Sequence, residues 1–154
     1  MTLYAIVKTL HILSATVLFG TGLGTAWFLW QADRSGDVVT IATAARLVVR
    51  ADWLFTTPAV VLQPLTGAWL IALVGYSPAE PWLLWTYALY ILTGLCWLPV
   101  VWLQIRMRDL AAKVAVTGAV LPALYHRYFR IWFSLGWPAF IAVIVITYLM
   151  VAKP

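Results

Sequence analysis

The sequence is short of charged residues and correspondingly rich in apolar ones. Charged residues occupy 10% of the 154 positions, whereas a soluble domain averages about 25%. Apolar residues occupy 64%, against about 45–50% in soluble domains. This composition excludes an ordinary soluble globular protein and predicts an integral membrane protein. The length predicts a single domain, residues 1–154, with room for four spanning helices of about 20 residues each.

Cysteine and histidine are also scarce. Cys96 is the only cysteine, which excludes an intrachain disulfide and a multi-cysteine metal site. The two histidines are His11 and His126. A zinc or copper site needs several ligands, and no Cys, Asp or Glu is expected at the depth of His11. The N-terminus lacks the basic start of a signal peptide, so the first apolar run is expected to be a retained helix.

The apolar runs predict an all-α membrane protein, a four-helix transmembrane bundle with short loops. The spans are expected at about residues 3–30, 52–74, 82–105 and 131–151. Prolines inside the second and third spans predict kinks, because proline removes a backbone donor; they are Pro58, Pro64 and Pro99. Gly20 and Gly24 form a small-xxx-small pair, which lets a helix of the same chain, a homo-oligomer or another subunit approach closely.

The formal net charge of +5 comes from two basic connections between spans. The first carries Arg34, Arg46 and Arg50, and the second carries Arg106, Arg108, Lys113, Arg127 and Arg130. Residues 75–81, between the second and third spans, contain no Lys or Arg. The positive-inside rule then predicts that both basic connections are cytoplasmic and both termini lie outside. Because these residues flank spans and form no dense patch, the expected partner is the lipid bilayer and not nucleic acid.

His11 lies in the first span, where Lys8 is the only other strongly ionisable residue. An ionisable side chain at membrane depth is costly, and it is by default a hypothesis of function. His11 follows Leu3 by eight residues, which places it roughly 12 Å below the outer end of its helix. The residues expected near this level on the second and third spans are Gly67, Trp69, Thr86 and Tyr87.

These residues would suit a flat cofactor. The glycine would let a macrocycle approach the backbone, and His11 would be the metal ligand, giving an axial nitrogen to the iron of haem b. The alternative is a structural His11 that hydrogen-bonds across helices to Ser14, a threonine or a backbone carbonyl. Gln63, beside a proline, is expected to make an interhelical hydrogen bond.

Two further polar groups are expected near the cytoplasmic face. His126 is separated from His11 by roughly 25 Å or more of helix rise, so the two cannot bind one iron together. Arg127 and Arg130 beside it are candidates to bind lipid phosphates or another anionic ligand. Asp52 is expected to begin the second helix, where a carboxylate favours the helix dipole, and to pair with Arg50 or with a basic residue of the second connection.

The whole chain resembles the bacterial integral membrane proteins grouped as domain of unknown function 2269. The matching stretches are residues 10–24, 51–55, 63–67, 97–108 and 151–154. The resemblance implies a multi-pass protein of the bacterial cytoplasmic membrane and carries no established activity.

A more distant similarity is to the HemJ-type protoporphyrinogen oxidases, which have a four-helix core and haem b. The shared features are Lys8-Thr-Leu-His11-Ile, Gly67-x-Trp69-Leu and a terminal Lys153-Pro154. The similarity implies haem binding at His11. That family also has a Lys early in the third helix and an Asn-Glu at the start of the fourth. Here Thr86 and Tyr87 occupy the first of these regions and residues 133–137 the second, which argues against the oxidase activity.

Three functions follow as hypotheses. The leading one is a haem-b-binding or redox-associated membrane protein with His11 as axial ligand. The second is a non-catalytic membrane scaffold or subunit of a complex, in which His11 is structural. The third is a small-solute or metal permease, although the spans contain no charged rings.

Overall fold

The computed structural model describes residues 2–154, and these form long helices joined by short connections. The helices are α1 (Leu3–Ser35), α2 (Val38–Ala51), α3 (Thr57–Val74), α4 (Pro81–Thr117) and α5 (Ala123–Ala152). A π-helical turn, Asp52–Thr56, joins α2 to α3 without a break. Four helical stretches are long and apolar enough to cross a membrane, and the described residues contain no strand. The predicted fold class, an all-α bundle with four candidate spans, is confirmed.

The helices extend beyond the predicted spans at the ends that carry the basic residues. The helix of the second span begins at Val38, fourteen residues before Asp52, and α4 continues to Thr117. Hydrophobicity marks where a helix lies in lipid, whereas glycine marks where the helix ends. Gly36, Gly75 and Gly118 adopt the left-handed conformation, with φ of 68°, 79° and 67°, and they cap α1, α3 and α4.

The π-helical turn has a local cause in Pro58. Proline has no N–H to donate to the carbonyl four residues earlier, and its ring would clash with that carbonyl. The chain widens instead, and the N–H of Thr57 donates to the carbonyl of Asp52, five residues before it. The turn adds a residue to the helix without ending it, so Asp52 lies within a continuous helix that crosses the bundle.

The bundle has two unlike ends. The basic end carries the connections at residues 36–37 and 118–122, and the terminal end carries residue 2, residue 154 and the loop at 75–80. At the basic end, α1, α2, α4 and α5 share a buried apolar core that includes Leu29, Ile41, Met107 and Tyr125. At the terminal end, Lys153 donates to the hydroxyl of Tyr76 at 3.1 Å and so joins α5 to the α3–α4 loop.

The helices pair selectively along the bundle. Helix α1 packs against α2 and α3, and α4 packs against α2 and α5. Phe19 stacks on Phe140, with ring centroids 4.9 Å apart, where α1 meets α5. Many large apolar side chains point outward, as expected of faces that meet lipid. The α1–α3 contact is the one that contains His11.

Candidate functional site

His11 lies on the face of α1 that packs against α3. Its side chain is 8% exposed, and its Nδ1 lies 2.8 Å from the hydroxyl oxygen of Thr66 on α3. Thr66 is 5% exposed, so the bond is largely shielded from the surroundings. A hydrogen bond between two transmembrane helices fixes their relative rotation as well as their distance.

The direction of this bond follows from the other contact of the threonine. The Thr66 hydroxyl donates its single hydrogen to the carbonyl of Leu62 at 2.6 Å. Its oxygen must therefore accept from Nδ1–H of His11, and in the neutral imidazole the lone pair is left on Nε2. Nε2 has no hydrogen-bond partner in residues 2–154. Metal-ligating histidines have this arrangement, with one ring N–H held by an acceptor and the other nitrogen available.

Gln63 holds the backbone beside the imidazole. Its amide Nε2 donates to the carbonyl of His11 at 2.8 Å and to the hydroxyl of Ser14 at 2.5 Å. Ser14 in turn donates to the carbonyl of His11 at 3.1 Å. The predicted interhelical hydrogen bond of Gln63 is thereby confirmed. We call His11, Ser14, Gln63, Thr66 and Gly67 the His11 joint.

Gly67 completes the His11 joint by its lack of a side chain. A Cβ placed on Gly67 would lie 3.4 Å from Cε1 of His11, so the edge of the imidazole rests on the backbone of α3. Gln63, Thr66 and Gly67 follow the i, i+3, i+4 spacing of one helix face. A single face of α3 therefore supplies the polar partners and the space for the ring.

The other residues predicted around His11 lie outside the His11 joint. Trp69 is 50% exposed, and it lies two residues beyond Gly67, about 200° around α3 at 100° per residue. Thr86 is buried, but its hydroxyl donates to the carbonyl of Trp82 in its own helix. Tyr87 is 38% exposed and lines a groove between α3 and α4. The structure brings His11 and Gly67 together and leaves these three residues apart from them.

Sequence reasoning did not single out Thr66, the direct partner of the imidazole, although the structural alternative for His11 named a threonine on another helix, and this hydrogen bond is present. The available signal was its position between Gln63 and Gly67, because a threonine three residues after a glutamine lies on the same helix face. Ser14 was weighed only as a possible partner of the imidazole, and it instead contacts Gln63 and the His11 carbonyl.

A second buried polar cluster lies where α2 meets α4. Asp52 is 5% exposed and accepts from the hydroxyl of Thr56 at 2.8 Å. The buried amide of Gln104, from α4, lies near the same carboxylate. The Oε1 atom of Gln104 has no donor among the described residues.

This cluster corrects the expectation that Asp52 begins the second helix and pairs with Arg50 or with a basic residue of the second connection. The helix starts at Val38, and Arg50, two residues earlier on the helix, is exposed and makes no ion pair with Asp52. Within residues 2–154 the only ion pair joins Arg108 and Asp109, at 2.7 Å. Residues two apart on a helix point in different directions, which explains the missing pair.

His126 lies at the opposite end of the bundle from His11, as predicted. It is exposed in the first turn of α5, and its ring meets the buried ring of Tyr125 edge-on at 5.5 Å. Tyr125 belongs to the core at the basic end. His126 therefore cannot share a ligand with the His11 joint.

Four apolar helical stretches with buried polar joints define a multi-pass integral membrane protein. A family model described as "Predicted integral membrane protein (DUF2269)" matches residues 5–154, and the chain belongs to this family. No curated protein and no solved structure matches the chain. The resemblance to the oxidases with haem b stays a hypothesis.

Proposed function

We propose that this membrane protein binds haem b, with Nε2 of His11 as an axial ligand of the iron. The observation that carries the proposal is the hydrogen bond from Nδ1–H of His11 to Thr66, which leaves the Nε2 lone pair without a partner. An axial histidine needs this tautomer, because the ligating nitrogen must be unprotonated. When bound, haem b supplies one-electron redox chemistry.

The donor set fits axial ligation, while the packing limits where a macrocycle can lie. The Cε1 edge of His11 rests on Gly67, so the α1–α3 contact itself has no space for a porphyrin. The cofactor would have to approach His11 from a side that α1 and α3 leave open. Thr66 would hold the ring orientation, and Gln63 would hold the backbone of α1 beside it.

The proposal is for cofactor binding and redox association, not for an enzyme activity. The HemJ-type similarity supports His11 as the ligand. The Lys early in the third helix of that family is absent here, where Thr86 and Tyr87 stand. Trp69, Thr86 and Tyr87 remain predicted cofactor contacts, and their variants test that role separately from His11.

The absorption spectrum of protein purified from cells with ample haem tests the proposal. We expect a Soret band that is lost in His11→Ala and kept in His126→Ala, the matched control at the other end of the bundle. A colourless wild-type preparation would refute haem binding. A band lost in His126→Ala and kept in His11→Ala would refute the assigned ligand.

We also propose that the protein lies in the bacterial cytoplasmic membrane with both termini outside. The basic residues of the two connections lie at one end of the bundle, which supports this orientation. A cysteine at Ser77, in a Cys96→Ala background, should react with a membrane-impermeant maleimide added to intact cells. Labelling only after the cells are opened would reverse the orientation.

A second candidate is a non-catalytic subunit of a membrane complex. A Cβ added at Gly20 or Gly24, which share one face of α1, would meet no side chain and no other helix of residues 2–154 within 4 Å. This small-residue face therefore has no partner helix in the described chain, which favours a helix of another protein or of a second copy. Disulfide crosslinking of Gly24→Cys in the Cys96→Ala background tests it, with Ile12→Cys, on an exposed face of α1 about 120° from Gly24, as the control.

A further inference from the structure

A groove of about 420 Å³ opens between α4 and α5 towards the basic end. Its apolar walls are formed by Pro99 and Leu103 from α4 and by Leu124 and Ile131 from α5. Trp102 and Tyr128 also line it, and they meet edge-on with ring centroids 5.5 Å apart. Arg127 is the only charged residue in the lining.

Helix periodicity explains why a cation and an apolar wall share this groove. Leu124, Arg127 and Ile131 follow the i, i+3, i+7 spacing of one face of α5. On α4 the same spacing joins Pro99 and Trp102 to Arg106. The guanidinium of Arg106 lies over the Trp102 ring, 5.4 Å from its centroid. The groove is therefore apolar along its length, and each of the two helices places one arginine near it, towards the basic end of the bundle.

Neither arginine is neutralised by the protein. Arg106 and Arg127 are exposed, and neither forms an ion pair within residues 2–154. Both have the planar fork that binds a phosphate with two parallel hydrogen bonds. Trp102 and Tyr128 in the same groove are residue types enriched at the membrane interface, which suits a lipid head group.

We propose that this groove binds an anionic phospholipid, with an acyl chain along the walls of α4 and α5 and the head-group phosphate between Arg127 and Arg106. The two positively charged arginines favour an anionic head group. The apolar walls of α4 and α5 favour a ligand with an acyl chain over a small soluble anion. Basic pockets between transmembrane helices on the cytoplasmic side are known sites for such lipids. The site is independent of the His11 joint, which lies towards the terminal end.

Native mass spectrometry of the full-length protein in detergent tests the site. The probes are phosphatidylglycerol and phosphatidylcholine with identical acyl chains, added in mixed micelles. We expect one phosphatidylglycerol to be retained in preference to phosphatidylcholine. Arg127→Gln and Arg106→Gln should each weaken its retention roughly tenfold, the effect of losing one hydrogen-bonded ionic contact.

Matched variants separate the head group from the acyl chain. Arg46→Gln removes an exposed cation of α2, outside the groove, and should leave retention unchanged. Leu124→Trp fills the groove and should reduce retention of both lipids, whereas Arg127→Lys keeps the charge and should retain part of the preference. A variant is compared with the wild type only if its thermal unfolding midpoint is unchanged. If Arg127→Gln does not fold, Arg127→Lys replaces it as the test of the phosphate ligand.

Three results would overturn the proposal. Equal retention of the two lipids would show that no anionic head group is selected. Equal retention by the Arg127→Gln and Arg46→Gln variants would remove the assigned phosphate ligand. Displacement of the lipid by inorganic phosphate alone would show that the arginines bind a soluble anion and that the apolar walls contribute nothing.

Discussion

The hydroxyl oxygen of Thr66 lies 2.8 Å from Nδ1 of His11, and the same hydroxyl donates its hydrogen to the carbonyl of Leu62. Thr66 therefore does two things for His11. It satisfies the buried ring N–H, and it determines which nitrogen keeps a lone pair. Both roles depend on the hydroxyl, which distinguishes them from simple packing of a side chain of this size.

Replacing Thr66 by valine should remove this acceptor while keeping the shape of the side chain. The ring N–H of His11 would be left buried without a partner, and interhelical hydrogen bonds in membranes are worth about 0.5–2 kcal/mol. We expect a lower free energy of unfolding in detergent for Thr66→Val and a near-normal value for Thr66→Ser. Equal stability of the valine and serine variants would contradict the role of the hydroxyl.

Substitution of Gly67 tests the close contact with His11. An alanine Cβ would lie 3.4 Å from Cε1, an ordinary van der Waals distance, so Gly67→Ala should be tolerated. Gly67→Leu should push the ring away from Thr66 and destabilise the protein by about 1–3 kcal/mol. The control is Gly94→Leu, because a Cβ at Gly94 meets no atom of residues 2–154 within 4 Å. A leucine at Gly67 that costs no more than one at Gly94 would contradict the contact.

Asp52 is a buried carboxylate whose described partners are uncharged. Asp52→Asn keeps the shape and an acceptor for Thr56 while removing the buried charge, so we expect stability equal to or above that of the wild type. Asp52→Ala should cost about 1–3 kcal/mol, because it leaves the buried hydroxyl of Thr56 without this partner. Thermal unfolding in detergent measures both. A strongly destabilised asparagine variant would show that the charge itself is needed.

Asp37 predicts a pH effect outside the spans. It caps α2, accepting from the backbone N–H and the hydroxyl of Thr40, and these bonds hold the pKa of its carboxyl below its ordinary value. Because this pKa is lowered, the cap stabilises α2 fully when the pH is above the ordinary pKa of 3.8. The stabilisation is lost as the pH falls through the lowered pKa of the folded protein.

The amide signal of Thr40 in NMR spectra should report this loss at acid pH. Asp37→Asn keeps an acceptor that does not titrate, so its Thr40 signal should stay nearly constant over the same range. A wild-type signal that also stays constant would show that the carboxylate does not cap α2.

The sequence predicted the height of His11 and Gly67 along their helices. It did not predict the face of each helix on which a side chain lies. Helix rise alone placed His11 and Gly67 at one level, and the structure puts them in contact. The same argument also chose Trp69, which points away, and passed over Thr66, which is the true partner. A rise of 1.5 Å per residue orders residues by height, but a rotation of 100° per residue decides which of them meet.

The position of Asp52 shows a second limit. The apolar run predicted a helix at the second span, and a helix lies there, but the run could not show that this helix continues from Val38 through Asp52. The widened turn before Pro58 keeps the helix unbroken there. Polar residues beside an apolar run indicate the end of the hydrophobic stretch. They do not indicate the end of the helix, because a helix can continue beyond the hydrocarbon.

The sequence by itself determined the class of protein, the four candidate spans, the family and the cost of placing His11 in an apolar helix. Only the tertiary structure decided that His11 meets Thr66, Gln63 and Gly67, and that Asp52 is buried beside Gln104. The physical reason is that lipid tails are as apolar as leucine. The faces of a membrane helix that meet lipid and those that meet another helix therefore carry similar residues, and the hydrophobic pattern cannot distinguish between them.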